Sequence, residues 1–394
     1  MFLRQGLPAI AVIAALGLWL TACMEDKIPD EGRIVAAQAE RNAAAPQGAT
    51  KAAKLDAIFT RAMEEDGFMG HVIITHHGEV MFAKGYGFAD IEAGLEHDVD
   101  VPFPIASVTK QWTSAVAFLL AEKGVLELDN SANQYLGEAC SLPQGSATLR
   151  QLMAHRSGLA RDEEFYRTLG DGAALLGPVD SLTEIICTLP QRGDPGIEFI
   201  YRRTDTIVLQ TVIEQVTSRP FAELLQTELL EPLGMTASGM MPPAPRPAGM
   251  MAGYVRIGGD YVAEEYPRYL TAAAGGLSTP RDMAVWNTAI SEAPLFDSIR
   301  DEWLRGDGAI GYTGAGQWVF PYSTGAGRWL MTAERQGQTG AIHNANAVRL
   351  QDGYTFNLVS NVGGPDLEKI YTRRGLVNDA IRILLSEETA RPAQ

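Results

Sequence analysis

Apolar and polar positions alternate at both ends of this chain and follow a helical period in between. Near the start, Gly70 to Gly87 reads as two strands around a turn at His77-Gly78. Near the end, Gln317–Pro321, Trp329–Glu334, His343–Leu350 and Tyr354–Asn361 read as four more, the last two joined by the hairpin pair Asp352-Gly353. Helices are expected over Lys54–Glu65 and Leu367–Ser386. From Ser107 to about Ile299 the patterns are mostly helical. The fold class expected is therefore α+β, an α/β sandwich: one antiparallel sheet made by strands from both ends, flanked by helices, with a helical insertion at about 110–300.

Within that frame, Ser107-Val108-Thr109-Lys110 stands where the strand-rich segment gives way to a helix. Gln111 to Gly124 reads as a largely buried helix ending at a glycine cap. A lysine three residues after a serine on a helix shares its face. A serine hydroxyl needs a base before it can attack a carbonyl. Unpaired N–H groups at a helix start favour the oxyanion that follows. A Ser-x-x-Lys match alone arises about once in a chain of this size, so its weight depends on the surroundings. A second proton-handling group is offered by Tyr201, in the loop-to-helix stretch Pro195 to Thr204, whose neighbouring cations would lower its phenol pKa.

The N-terminal pattern differs from all of this. Leu7–Leu20 is an almost unbroken apolar run, short for a spanning helix, and it stops at Leu20-Thr21-Ala22-Cys23. This resembles a bacterial lipobox. The expectation is a signal peptide at 1–22, a lipid on Cys23, a flexible tether at 23–53 and a hydrolase domain at 54–390. The corresponding location is the cell envelope, as a periplasmic lipoprotein of the outer membrane. Cys140 and Cys187 remain, either as a disulfide or as two buried thiols. A net charge of −16 argues against nucleic acid as a partner. His71, His76 and His77 lack the carboxylate or cysteine partners of a metal site. The methionines between Met235 and Met251 form a loop over the core or line an adaptable pocket.

Several segments together resemble the serine β-lactamase-related family of class C β-lactamases, D-Ala-D-Ala carboxypeptidases and related esterases. They are Pro104 to Lys110, Thr148 to Leu159, Glu231 to Met235 and Ala274 to Met283, in that order, with the Tyr201 segment. The resemblance implies catalysis by Ser107, Lys110 and Tyr201, and an oxyanion hole from the backbone N–H groups of Ser107 and Ala341. It implies no metal or organic cofactor. His155 matches a family histidine that supports structure. Two departures stand out. Arg203 replaces the asparagine of Tyr-x-Asn, and Gln338-Thr339-Gly340 replaces Lys/His-Thr-Gly. Arg203, Gln338, Thr339 and Gly340 are then the substrate-binding positions. Arg203 either restores the missing charge or depresses the lysine pKa. The expected substrate is a small ester or amide, or a cell-wall peptide. The alternative is a catalytically impaired relative that binds a cell-wall fragment or a protein.

Overall fold

In the computed structural model, residues 50–386 are described, apart from 138–139, 143–146, 171–178, 243–244, 266–270, 310, 324–328, 350 and 364–374. Cys23, the expected signal peptide and nearly all of the expected tether fall outside the described residues. Six strands form one antiparallel sheet: β1 (Gly70–His76), β2 (Glu79–Tyr86), β3 (Trp318–Ser323), β4 (Trp329–Thr339), β5 (Ile342–Arg349) and β6 (Tyr354–Ser360). Their spatial order is β3-β4-β5-β6-β1-β2. Strands from the two ends of the chain meet where β1 pairs with β6, from Gly70 opposite Ser360 to His76 opposite Tyr354. The mixed architecture expected from the patterning is thus the one observed.

Among the described residues, seven α-helices of eight residues or more flank the sheet or belong to the insertion: α1 (Lys51–Arg61), α2 (Thr109–Glu122), α3 (Asp162–Leu169), α4 (Val179–Thr188), α5 (Arg203–Thr217), α6 (Pro280–Glu292) and α7 (Gly375–Leu385). Alternate strand residues point to opposite sides, which gives the sheet two cores. Phe59 of α1 and Val377 and Ile381 of α7 pack with Val72, Ile74, Phe356 and Leu358 on the back. The insertion packs on the front, where Trp112, Val116 and Trp286 share a core with Ile342 and Val359. Removing a leucine-sized side chain from water contributes about 2 kcal/mol, so both cores hold the sheet in place.

The nucleophile helix shows how tertiary burial overrides an amphipathic pattern. All of Thr109–Leu120 is buried, as its apolar run requires, and Gly124 ends it with φ +70°. Met235, Met241, Met250 and Met251 are buried against their surroundings. A disulfide joins Cys140 to Cys187 of α4, with Cα atoms 5.6 Å apart. His71 is buried, whereas the rings of His76 and His77 lie against each other, with His76 stacked on Tyr354 and His77 2.9 Å from the Glu292 carboxylate.

One strand is longer than its pattern suggests. β4 runs past Glu334 to Thr339. Its pairing with β3 ends at Glu334 opposite Trp318. Beyond that point only β5 pairs with it, and the other edge of β4 is taken by the turn that carries Ser107.

Candidate active site

Ser107 sits in a single 3-10 turn, Ala106–Val108, immediately before α2. The backbone there is bent sharply. Ala106 has φ +48°, a region that costs a non-glycine residue about 1 kcal/mol or more. Two neighbours hold it. The Thr109 hydroxyl donates to the Ala106 carbonyl at 2.5 Å, and Ile105 N–H donates to the Gly276 carbonyl at 3.0 Å. Lys110 falls in the first turn of α2, so its ammonium returns to the serine. Its Nζ lies 3.4 Å from Ser107 Oγ and donates to the Ala273 carbonyl at 2.6 Å.

Tyr201 arrives from the insertion on the extended stretch before α5. That stretch is tied to the loop at His155: Ile200 N–H donates to the His155 carbonyl at 3.0 Å, and Arg202 N–H points to His155 Nδ1 at 3.4 Å. The His155 ring then packs edge-on against the Tyr201 ring, centroids 4.6 Å apart. Burial, with Arg335, Lys110 and Arg202 nearby, holds His155 well below its ordinary pKa and therefore neutral. The result is a Tyr201 hydroxyl 2.7 Å from Ser107 Oγ.

The residue that sequence reasoning missed is Arg335. It is 1% exposed. Its Nη2 donates to the Tyr201 oxygen at 2.8 Å, and its Nε donates to the Ser107 carbonyl at 2.9 Å. The electrostatics follow. Burial opposes ionisation of Tyr201, but Arg335 and Lys110 outweigh it and bring the phenol down to about 7. Lys110 falls to about 8, chiefly through burial, with Tyr201 opposing and Arg335 assisting the fall. A phenolate between two cations, in contact with the serine, can take the serine proton.

Arg335 also corrects the strand register read from the sequence. Gln338-Thr339-Gly340 is not the segment against the nucleophile; Arg335-Gln336-Gly337 is. A Cβ on Gly337 would stand 2.3 Å from the Ile105 carbonyl and 3.2 Å from Ser107 N, so only glycine lets the strand approach this closely. Gln338 stands one residue beyond Gly337, so its side chain projects to the face opposite Arg335, where its amide reaches the Gly340 carbonyl at 3.4 Å. Thr339 pairs with Ile342 around the two-residue turn Gly340-Ala341, where Gly340 has φ +53°.

The same geometry moves the oxyanion hole. Thr339 and Ile342 flank a two-residue hairpin turn and form its hydrogen-bonded pair, so the N–H of Gln338 points to the opposite edge. That edge faces Ser107. The backbone donors are therefore Ser107 and Gln338. Ala341 lies in the turn, is 3% exposed, and its Cβ sits beside Gly253 and Gly363. Arg203 does lower the Lys110 pKa, as one of its two readings expects, but its own contacts lie elsewhere. Its Nη1 donates to the Tyr166 hydroxyl at 2.7 Å, and its guanidinium lies over that ring. Its charge bears on Lys110 less than burial, Tyr201 or Arg335. The cation that joins Lys110 at the tyrosine is Arg335.

Comparison with known proteins bears on the family and the fold. The Beta-lactamase family model matches residues 55–379. The esterase EstB of Burkholderia gladioli is 32% identical over 225 residues, which is 54% of this chain and 57% of the esterase, so the chain spans under two thirds of that relative. The octameric penicillin-binding protein homologue of Pyrococcus abyssi superposes with a TM-score of 0.71 at 21% identity, covering 85% of this chain and 77% of the other. The D-amino acid amidase of Ochrobactrum anthropi, solved with L-phenylalanine amide, gives 0.67 at 22% identity, covering 86% and 97%. At those identities the two structures speak for the fold. A sheet built from both ends of the chain, a helical insertion, and a serine, lysine and tyrosine converging between them are what one expects of the Beta-lactamase family, and this chain belongs to it.

Proposed function

We propose that this protein hydrolyses an uncharged ester or amide through an acyl-enzyme on Ser107. The observation that carries the reading is the Ser107–Tyr201 contact of 2.7 Å, with Lys110 and Arg335 on either side of the phenol. Tyr201 takes the proton as Ser107 Oγ attacks the carbonyl carbon. The N–H groups of Ser107 and Gln338 receive the oxyanion. Tyr201 returns the proton to the leaving oxygen or nitrogen, with Lys110 holding the charge balance. Water then attacks the acyl-enzyme, with Tyr201 again as base.

The preference for an uncharged acyl group rests on Arg335. Its guanidinium is buried and bonded to Tyr201 and to the Ser107 carbonyl. A cation committed in this way does not present itself to a substrate carboxylate. The esterase named among the relatives fits this preference, and the amidase keeps amides within the class.

The test is intact mass after incubation of the protein with a fluorophosphonate and, separately, with a penicillin. One fluorophosphonate adduct at Ser107 and a slower or absent penicillin adduct is the expected result. Labelling should rise with pH through about 7, as Tyr201 ionises. No adduct from either reagent would replace this reading with that of a binding protein. We propose in addition that Cys23 carries a lipid anchor at the cell envelope, supported by the apolar run that ends there. Cys23→Ala should then release the protein into the soluble fraction.

A further inference from the structure

The Arg335 guanidinium has two aromatic faces against it. The Tyr201 ring lies 5.0 Å away and the Trp318 ring 4.8 Å away. Trp318 opens β3, and its cross-strand partner is Glu334. Arg335 is thus the first residue of β4 with no β3 partner. At that point a long side chain could swing into solvent past the end of the sheet. The indole covers it there.

We propose that Trp318 is a positioning residue for the catalytic tyrosine: by stacking on Arg335 it keeps the guanidinium dry and aimed at the Tyr201 oxygen. An arginine on an aromatic face is attracted by the negative π face of the ring, more strongly when water is excluded. A guanidinium bonded to two partners is useful only in one orientation. A stack on its flat face leaves the in-plane N–H groups free to point at Tyr201 and the Ser107 carbonyl. Without the indole, water reaches the guanidinium and its pull on the phenol weakens.

The other charged groups around Tyr201 come from different elements. Lys110 stands on α2. His155, held neutral, stands on the loop packed against the Tyr201 ring, and Asp205 lies behind it at 3.4 Å from Nδ1. Arg203 and Asp162 meet at the start of α5. Ser107 is the hydrogen-bonding neighbour. Arg335 is the group that Trp318 stacks on, so loss of the indole acts on Tyr201 through that one cation.

Only the kinetic consequence rests on the hydrolase reading; the phenol itself can be titrated without turnover. The experiment is a near-ultraviolet titration of Tyr201 in the full chain, with Tyr201→Phe as the blank, for wild type, Trp318→Leu and Trp318→Phe. We expect Trp318→Leu to raise the phenol midpoint by about one pH unit, and Trp318→Phe to keep it near the wild-type value. Fluorophosphonate labelling of Trp318→Leu should fall about fivefold at pH 7 and recover at higher pH. If Trp318→Leu does not give a folded circular-dichroism spectrum, Trp318→Met removes the aromatic face at closer volume. An unchanged midpoint in the folded aliphatic variant overturns the proposal, as does an equal loss of labelling at every pH. A shifted midpoint with no labelling in any variant, wild type included, upholds the stack and sinks the hydrolase reading instead.

Discussion

The two faces of the sheet differ in how many polar side chains they bury beside their apolar ones. Behind it, Val72, Ile74, Phe356 and Leu358 meet α1 and α7 in an apolar layer. In front, Arg335, Asn346 and Asn357 stand in one cross-strand row, and all three are buried. The front row is bonded to the nucleophile helix. Asn346 donates to Gln111 at 3.2 Å, Trp286 donates to the same Gln111 oxygen at 3.1 Å, and Gln111 donates to Gln317 at 2.8 Å. β6 serves both faces, since every one of its residues is buried. The contrast separates two tasks. Apolar burial is strong but has no direction. Hydrogen bonds add about 1 kcal/mol each, yet they fix orientation. The back holds the sheet together, and the front sets where α2 and its serine sit.

The first way to break the contrast is at its chemical end. Lys110→Ala should lower fluorophosphonate labelling about 1000-fold, while circular dichroism stays native. Unchanged labelling would remove the lysine from the mechanism. Next, Leu358→Ala on the back should lower unfolding free energy by about 3 kcal/mol and leave the labelling rate of the folded fraction alone. A comparable loss of rate would show that the two faces are not separable. Somewhat smaller is Arg335→Gln on the front: labelling at neutral pH should drop about 100-fold, with the pH dependence displaced upward because the phenol has lost a cation. The smallest effect belongs to Gln338→Lys, whose side chain lies on the far face from Ser107. Labelling and penicillin reactivity should change less than about twofold. A large rise with the new lysine would overturn the placement of Arg335, rather than Gln338, against the nucleophile.

Much of the chemistry is legible in residues close together in the chain. Ser107 and Lys110 are three apart on one helix, and that spacing alone brings them to one face. Tyr201 is marked by its loop-to-helix setting just before Arg202 and Arg203. Arg335 gives no comparable signal. The patterning ends its strand at Glu334, and the Thr-Gly pair at Thr339-Gly340 points to Gln338 instead. The only available clue is that an arginine, three residues before Gln338, also precedes a glycine by two. Arg203 misleads for the opposite reason: it sits beside the tyrosine in sequence, but its guanidinium turns to Tyr166 on another helix.

The order of residues along the chain already carries the main strands and helices, the α+β class and the meeting of strands from both ends, and it points to Ser107, Lys110 and Tyr201. Those depend on local periodicity and on spacings within one turn. Long-range packing sets which stretch of β4 lies against Ser107, which backbone N–H on that strand faces it, and that Cys140 bonds to Cys187. Strand side chains repeat every two residues, so an offset of three between Arg335 and Gln338 exchanges one face of the sheet for the other. That offset is set by pairing with β5 and by the close approach of Gly337 to the Ser107 turn, contacts between residues more than 200 positions apart in the case of Arg335 and Ser107.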